Sequence, residues 1–406
     1  MADIRQYRKE KKNTLGKEPE AQNDGEYDDG RLRRHRLRIK LIAAAAVLIV
    51  VLAVVLCVVN YSSGYKSYAV RNSTARNDNG YAKYMDFGSG YIRCSKDGIA
   101  MYSYDGVQQW NKTYEMKSPL TDVCGQYMAV ADTEGNEIHL FDRSGYISTV
   151  DTALPIMQIR ISERGTVAAI LEDTDAAYIK LYDSEGTQIY NIKSTVSGNG
   201  VPVSMDVSPD GHLLIVSYTS VDEQKLATSV VFYNFGEVGQ SEVERVVGGY
   251  DTYGEQLVAD VKFLGANAAI AIGENVVSFF KVGEYPKLMA DVKQDNTIDK
   301  VLYSDKYVGL EYTDSENVRR VDVYDTSGSL TATFKAEGKY SQYIFAGDAL
   351  LMYGESSLKL VNMKGRTLFD GSIEEGIVEM ISVSGDNEFI CLGPDKLMRI
   401  ELKHGG

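Results

Sequence analysis

The chain is poor in the residues on which most site chemistry depends. Only four histidines occur in 406 residues, at His35, His139, His212 and His404, and they are far apart in the chain. A zinc site needs His and Cys at short, defined spacings, so no such site is encoded. Cysteine is as sparse, with Cys57, Cys94, Cys124 and Cys391. A secreted domain held by disulfides would use more of them. The last three lie in apolar, strand-like contexts and read as buried free thiols. There is no Gly-x-Ser-x-Gly elbow and no Gly-x-x-x-x-Gly-Lys-Ser/Thr loop, so the familiar signatures of serine hydrolases and phosphate-binding loops are missing. Nothing in the chain calls for a cofactor. After Tyr65 no long 3.6-residue apolar period occurs, which argues against a helical domain.

Positive charge is scarce as well, and it is unevenly placed. The whole chain has a net charge of −14, yet residues 1–40 carry 12 Lys+Arg against 8 Asp+Glu. Everything after residue 40 therefore sums to −18, which makes nucleic acid a poor partner.

Against these absences stands one uncharged run, Leu41 to Val59, which follows the basic cluster Arg31–Lys40. At about 1.5 Å per residue it reaches roughly 28 Å as a helix, close to the ~30 Å hydrocarbon core of a bilayer. It has no polar face, unlike a helix that lies on a membrane surface. The run is long for a signal peptide, and Leu56-Cys57-Val58-Val59-Asn60-Tyr61 is a poor site for cleavage or lipidation, so a retained anchor is expected. Lys and Arg beside a span stay in the cytoplasm. The expected organisation is a disordered basic cytoplasmic tail at 1–40, a transmembrane helix at 41–59, a short linker at 60–65 and an extracellular domain at 66–406. With so short a linker, that domain would be held close to the membrane.

The outer domain repeats a hairpin of apolar-aromatic residues followed by a turn ending in Gly. It reads Met101-Tyr102-Ser103-Tyr104-Asp105-Gly106, Leu140-Phe141-Asp142-Arg143-Ser144-Gly145, Leu181-Tyr182-Asp183-Ser184-Glu185-Gly186 and Val323-Tyr324-Asp325-Thr326-Ser327-Gly328. Looser copies end at Gly236, Gly283, Gly365 and Gly405. The intervals of 37 to 50 residues, with four strand-like runs per unit, are those of a β-propeller. Eight third strands imply eight blades; seven would result if one loose unit were an insertion. The last third strand ends the chain, so the eighth blade lacks its outer strand. The surplus segment Lys66–Arg71 is expected to supply it beside residues 398–403, closing the ring.

Ser208-Pro209-Asp210-Gly211 resembles the Ser-Pro-Asp-Gly turn of WD-repeat and TolB-like propellers. Tyr104-Asp105-Gly106-Val107-Gln108-Gln109-Trp110 resembles the Asp…Gly…Trp end of the quinoprotein-type repeat, which also occurs in eight-bladed assembly scaffolds of the bacterial envelope. The full layout is similar to a Gram-positive family of membrane-anchored propellers of unknown function. Trp110 is the only tryptophan, however, so the repeated docking tryptophans of the quinoprotein pattern are absent and its quinone cofactor is not carried over.

Two acidic turns, Asp132-Thr133-Glu134-Gly135-Asn136 and Glu172-Asp173-Thr174-Asp175, are too short to encircle calcium alone and read as solvated hairpin turns. A more specific pattern comes from aligning the inner strands five residues before each second strand. That register holds Asp86, Asp122, Arg160, Asp206, Asp260, Lys300 (with Asp299 beside it), Gln342 and Glu379. Inner strands line a propeller's channel, so these side chains are candidates for a polar, ligand-binding ring in its wall. Alternatively they bond neighbouring backbone, as buried polar groups must. The 28 tyrosines suit strands and inter-blade packing. The expected function is a membrane-tethered binding or scaffolding module for a protein or cell-wall polymer. The alternative is an extracytoplasmic hydrolase or lyase using channel carboxylates.

Overall fold

The computed structural model describes residues 37–52, 64–76, 78, 82–222, 225–336 and 338–404. The chain divides into two units, Met1–Ser63 and Gly64–Gly406. In the first, residues 37–52 form an exposed helix. Among the described residues no helix is long and apolar enough to cross a membrane. Residues 1–36 of the expected tail, 53–59 of the expected span and 60–63 of the linker lie outside the described ones.

The second unit is an eight-bladed β-propeller of eight four-stranded antiparallel sheets. The inner strands of blades one to eight are Lys83–Asp86, Pro119–Cys124, Ile156–Ile161, Val201–Val207, Val258–Leu264, Ile298–Tyr303, Gln342–Ala346 and Glu379–Ser384. They neighbour one another around the ring, the first blade's meeting the eighth's. The second blade shows how the sequence dictates its layers. Its strands are Pro119–Cys124, Tyr127–Asp132, Glu137–Asp142 and Gly145–Asp151.

The second strands of blades three and five carry the apolar runs Val167–Leu171 and Ala268–Gly273, because blades stack on both of their faces. The outer strand Lys287–Lys293 alternates exposed and half-buried residues, as a strand with one wet face should. The stacking produces eight apolar clusters, one for each junction between blades. Each buried large aliphatic or aromatic side chain contributes about 1.5–3 kcal/mol. The junction of blades eight and one is the thinnest, with five buried residues (Tyr84, Tyr91, Ile390, Leu392, Leu397) against nine to fifteen elsewhere.

Closure compensates at that seam. Ser67–Ala75 completes the eighth blade by pairing with Lys396–Lys403, from Ser67 opposite Lys403 to Ala75 opposite Lys396, with a bulge at Arg71. The closing strand runs four residues beyond the expected Lys66–Arg71. Arg71 and Lys403 both pair with Glu401. Just beyond the strand, the buried pair Arg76–Asp78 (2.8 Å) is extended by Tyr84 Oη donating to Asp78 (2.6 Å) and by Arg76 Nη1 donating to the Gly393 carbonyl (3.1 Å).

A recurring staple joins the blades at their rims. Trp110, on the first outer strand, stacks on Phe141 of blade two (centroids 5.5 Å apart) and donates Nε1–H to the Arg143 carbonyl (3.1 Å). Ser148 Oγ donates to Ser184 O (2.9 Å) and Tyr250 Oη to Pro286 O (2.7 Å), while Asn72 of the closing strand donates to Asp105 O. In each case an outer strand grips the turn after the next blade's third strand. The docking role expected of repeated tryptophans is thus shared among Trp, Ser, Tyr and Asn.

Two of the looser repeats depart from the tight turn. After the fourth blade's third strand comes an insertion, with a short helix at Glu237–Gln240 and a 3-10 turn at Val243–Arg245. Gly236 there is extended rather than left-handed, and Gly283 shows no positive φ either, whereas Gly328 sits at φ +83° and packs against Phe279.

Candidate functional site

An inner strand has a sheet partner on one side only, so half of its backbone N–H groups face the channel and need another acceptor. The side chains of the preceding blade supply it. Asp122 accepts the N–H of Ile161 (2.7 Å) and Asp206 that of Phe263 (2.8 Å). Two residues nearer the strand starts, Gln158 of blade three accepts from Met205 N–H of blade four (2.9 Å) and Ser204 Oγ of blade four from Val261 N–H of blade five (3.4 Å). The polar positions of blades two to four therefore cap the strand edge of the next blade.

The eight candidate residues do not form one ring. Traced through the pairing register, Asp122, Arg160 and Asp206 share one level, and Lys262 is their counterpart in blade five. Asp260, Lys300, Gln342 and Glu379 lie two residues towards the strand starts, level with Lys83, Gln158 and Ser204. Asp86 lies one residue beyond the first level, where Tyr104 Oη donates to it. A fixed count back from the second strand does not hold against the observed strands: Asp122 stands five residues before Tyr127, but Asp260 stands eight before Ala268 and Glu379 nine before Glu388.

The structure brings Asp122, Arg160, Asp206 and Asp260 together with Lys262 and Tyr303, neither of which was among the candidates. Lys262 Nζ donates to Asp206 Oδ1 (3.3 Å), and Arg160 Nε stands 3.5 Å from the same oxygen. Asp260 accepts from Ser204 Oγ (2.8 Å) and Tyr303 Oη (2.9 Å). Lys300 Nζ instead donates to Gln342 (2.9 Å) of blade seven. Lys262 had a signal in the sequence: Asp260-Val261-Lys262 alternates polar and apolar residues, putting both polar groups on one side of a strand.

Burial sets the electrostatics. It pushes the Asp206 carboxyl above its usual range, with Lys262 pulling the other way and Asp122 adding to the rise. Burial works against the Lys262 charge, but Asp206 and Asp122 outweigh it and hold the ammonium above its usual pKa. Burial, then Asp260, raises Tyr303, so its hydroxyl stays a donor. Glu379 is raised by burial, with Lys83 and Arg76 opposing.

Where these inner strands turn into second strands, a cavity of about 510 Å³ opens across blades two to six. Its charged lining is Asp122, Glu163, Asp206 and Asp305 against Lys262. Excess carboxylate in a partly enclosed recess favours a cationic or hydrogen-bond-donating guest. Among the described residues no group of three or more His, Cys, Asp or Glu could hold a metal ion. The Asp132 carboxylate of the first acidic turn is occupied by the N–H groups of Lys117 (2.9 Å) and Ser118 (2.6 Å).

Sheet order, ring closure and a polar channel define an eight-bladed β-propeller with an acidic recess at one channel mouth. Within that class the chain belongs to a family of unknown function, DUF5711, whose model matches residues 60–402. No curated protein matches the sequence. Among solved structures the propeller is similar to BamB from Moraxella catarrhalis, at 11% identity and a TM-score of 0.51, over 83% of this chain and 100% of that one. It is also similar to a eukaryotic initiation factor, at 9% identity and a TM-score of 0.53, over 84% of this chain and 88% of that one. At such identities the likeness is one of fold.

Proposed function

We propose that the protein is a binding or scaffolding module that captures a protein or a cell-envelope polymer. In this reading residues 41–59 tether it to the cell membrane, with the amino-terminal tail in the cytoplasm and the propeller outside. The tether rests on the uncharged run and its basic flank. The binding role rests on one observation, the cavity at the channel mouth. Its carboxylates outnumber its single lysine, which suits a basic protein side chain or the free amine of a wall polymer. The layout supports the further resemblance to Gram-positive membrane-anchored propellers.

The test is cross-linking of the intact protein in its own membrane, comparing wild type with an Asp122→Asn, Asp206→Asn, Asp260→Asn variant. Capture of a discrete partner by wild type and its loss in the variant support the reading. Retained capture with loss of a hydrolytic or lyase activity would move the assignment to an enzyme using these carboxylates. Protease added to intact cells should digest the propeller; protection there would overturn the topology.

A further inference from the structure

The fourth blade carries a feature that its seven counterparts lack. Its second and third strands, Leu213–Asp222 and Lys225–Asn234, have ten residues each, while its inner and outer strands have seven and five. Pairing with the inner strand ends at Val201 opposite Thr219, and pairing with the outer strand ends at Val230 opposite Tyr250. Beyond those points the hairpin continues alone, from Ser220 opposite Ala227 to Asp222 opposite Lys225. The outer flank of residues 225–229 is a strand edge without a sheet neighbour. Among the described residues no backbone hydrogen bond from outside the hairpin reaches it. Proteins usually protect such an edge with a charge, a proline or a bulge; beyond Lys225 at its tip, Leu226-Ala227-Thr228-Ser229 has none of these.

A groove of about 440 Å³ runs along this edge, with Lys225–Ser229 on one wall and Asp251, Gly254 and Glu255 on the other. Thr228, only 3% exposed, lines the groove with a buried hydroxyl that has no partner. Thr219, directly opposite it in the hairpin, has an unpartnered buried hydroxyl too. Folded proteins leave few buried polar atoms unsatisfied, so this facing pair marks hydrogen-bonding capacity held for something else. Asp251 and Glu255 outweigh Lys225, which itself pairs with Glu255 at 3.2 Å, so the groove is acidic. Val221 and Leu226 stand exposed at the hairpin's far end.

We propose that the edge at residues 225–229 is a docking strand for an extended, basic segment of a partner protein. The segment adds to the sheet through its backbone, places a Lys or Arg against Asp251, and lays apolar side chains over Val221 and Leu226. Extended geometry follows from the open ladder, positive charge from the carboxylates, and a protein partner from the need for a backbone that both donates and accepts. This surface is separate from the channel mouth, and its test does not depend on the channel carboxylates.

The probe is a fluorescein-labelled octapeptide, Lys-Thr-Val-Thr-Val-Thr-Val-Lys, titrated into the full chain in detergent micelles and followed by anisotropy and amide hydrogen exchange. Binding should slow exchange within residues 225–229. It should weaken about tenfold or more when the peptide lysines become Glu or when Asp251→Lys reverses the groove charge. A central proline in the peptide should abolish it. Thr228→Val, nearly isosteric, should weaken binding by about fivefold without changing the circular dichroism spectrum. The proposal is overturned if no peptide binds, if the acidic peptide binds as well, or if bound peptide leaves exchange at 225–229 unchanged. It is overturned too if sedimentation shows the chain dimerising with protection of this edge, which would assign the edge to a second copy.

Discussion

Asp122→Ala tests whether the polar positions of the channel wall hold the propeller together. The substitution removes the acceptor of the Ile161 N–H, in a residue only 2% exposed, and nothing else in the described structure accepts from that group. Leaving a buried donor unsatisfied costs about 1–3 kcal/mol. A propeller of about 340 residues unfolds with an entropy near 0.7 kcal/mol/K, so a loss of about 2 kcal/mol lowers Tm by about 3 °C. Asp122→Asn retains a side-chain oxygen at the same place and should recover most of that loss. Asp175→Ala, on an exposed turn, should stay within about 1 °C of wild type. Thermal unfolding followed by circular dichroism distinguishes the three. If Asp122→Ala unfolds with Asp175→Ala, or Asp122→Asn falls as far as Asp122→Ala, the edge-capping argument is wrong.

Two further outcomes are expected. Trp110→Phe keeps the stack on Phe141 but loses the bond to the Arg143 carbonyl, for about 1 kcal/mol in urea unfolding, whereas Trp110→Ala should cost about 2–3 kcal/mol. Equal losses for the two would remove the hydrogen bond from the account. In a Cys57→Ser background the three remaining thiols should resist iodoacetamide at pH 8 and react once guanidinium unfolds the chain. Burial raises all three, Cys94 in direction, and Cys124 and Cys391 to about 12. Carboxylates assist in the latter two, Asp122, Glu163 and Asp206 beside Cys124 and Glu375 beside Cys391. A thiol with a pKa of 12 is about one part in ten thousand thiolate at pH 8, so alkylation of native protein within minutes would contradict the burial.

Much of the fold could be read in one dimension because each blade is a local unit. The third-strand hairpins ending at Gly106, Gly145, Gly186 and Gly328 are set by neighbours in sequence, and their repetition counted the blades. The leftover segment near Lys66 was recognisable as a closing strand only by subtraction. Its length, to Ala75, followed from pairing with Lys396–Lys403. The candidate site was harder to read. Inner strands were aligned by a fixed count, but the second strands begin five residues after Asp122, eight after Asp260 and nine after Glu379, so one expected ring separated into levels. Lys262 and Ser204 were missed because one polar position was sought in each blade, whereas blades four and five place polar groups at two levels of the same inner strand. The free edge of blade four was hidden because a ten-residue strand looks unremarkable until its shorter neighbours are seen to stop.

The sequence by itself determined the strand repeat, the number of blades, the acidity of the domain and the place of the ring's seam. These follow from alternation, turn chemistry and composition, which act over a few residues. Only the tertiary structure decided which polar groups meet. Asp206 lies 56 residues from Lys262 and 46 from Arg160, yet all three converge at one channel level. That convergence depends on how blades stack and on each turn's length, because stacking puts residues from successive blades side by side however far apart they lie in the chain.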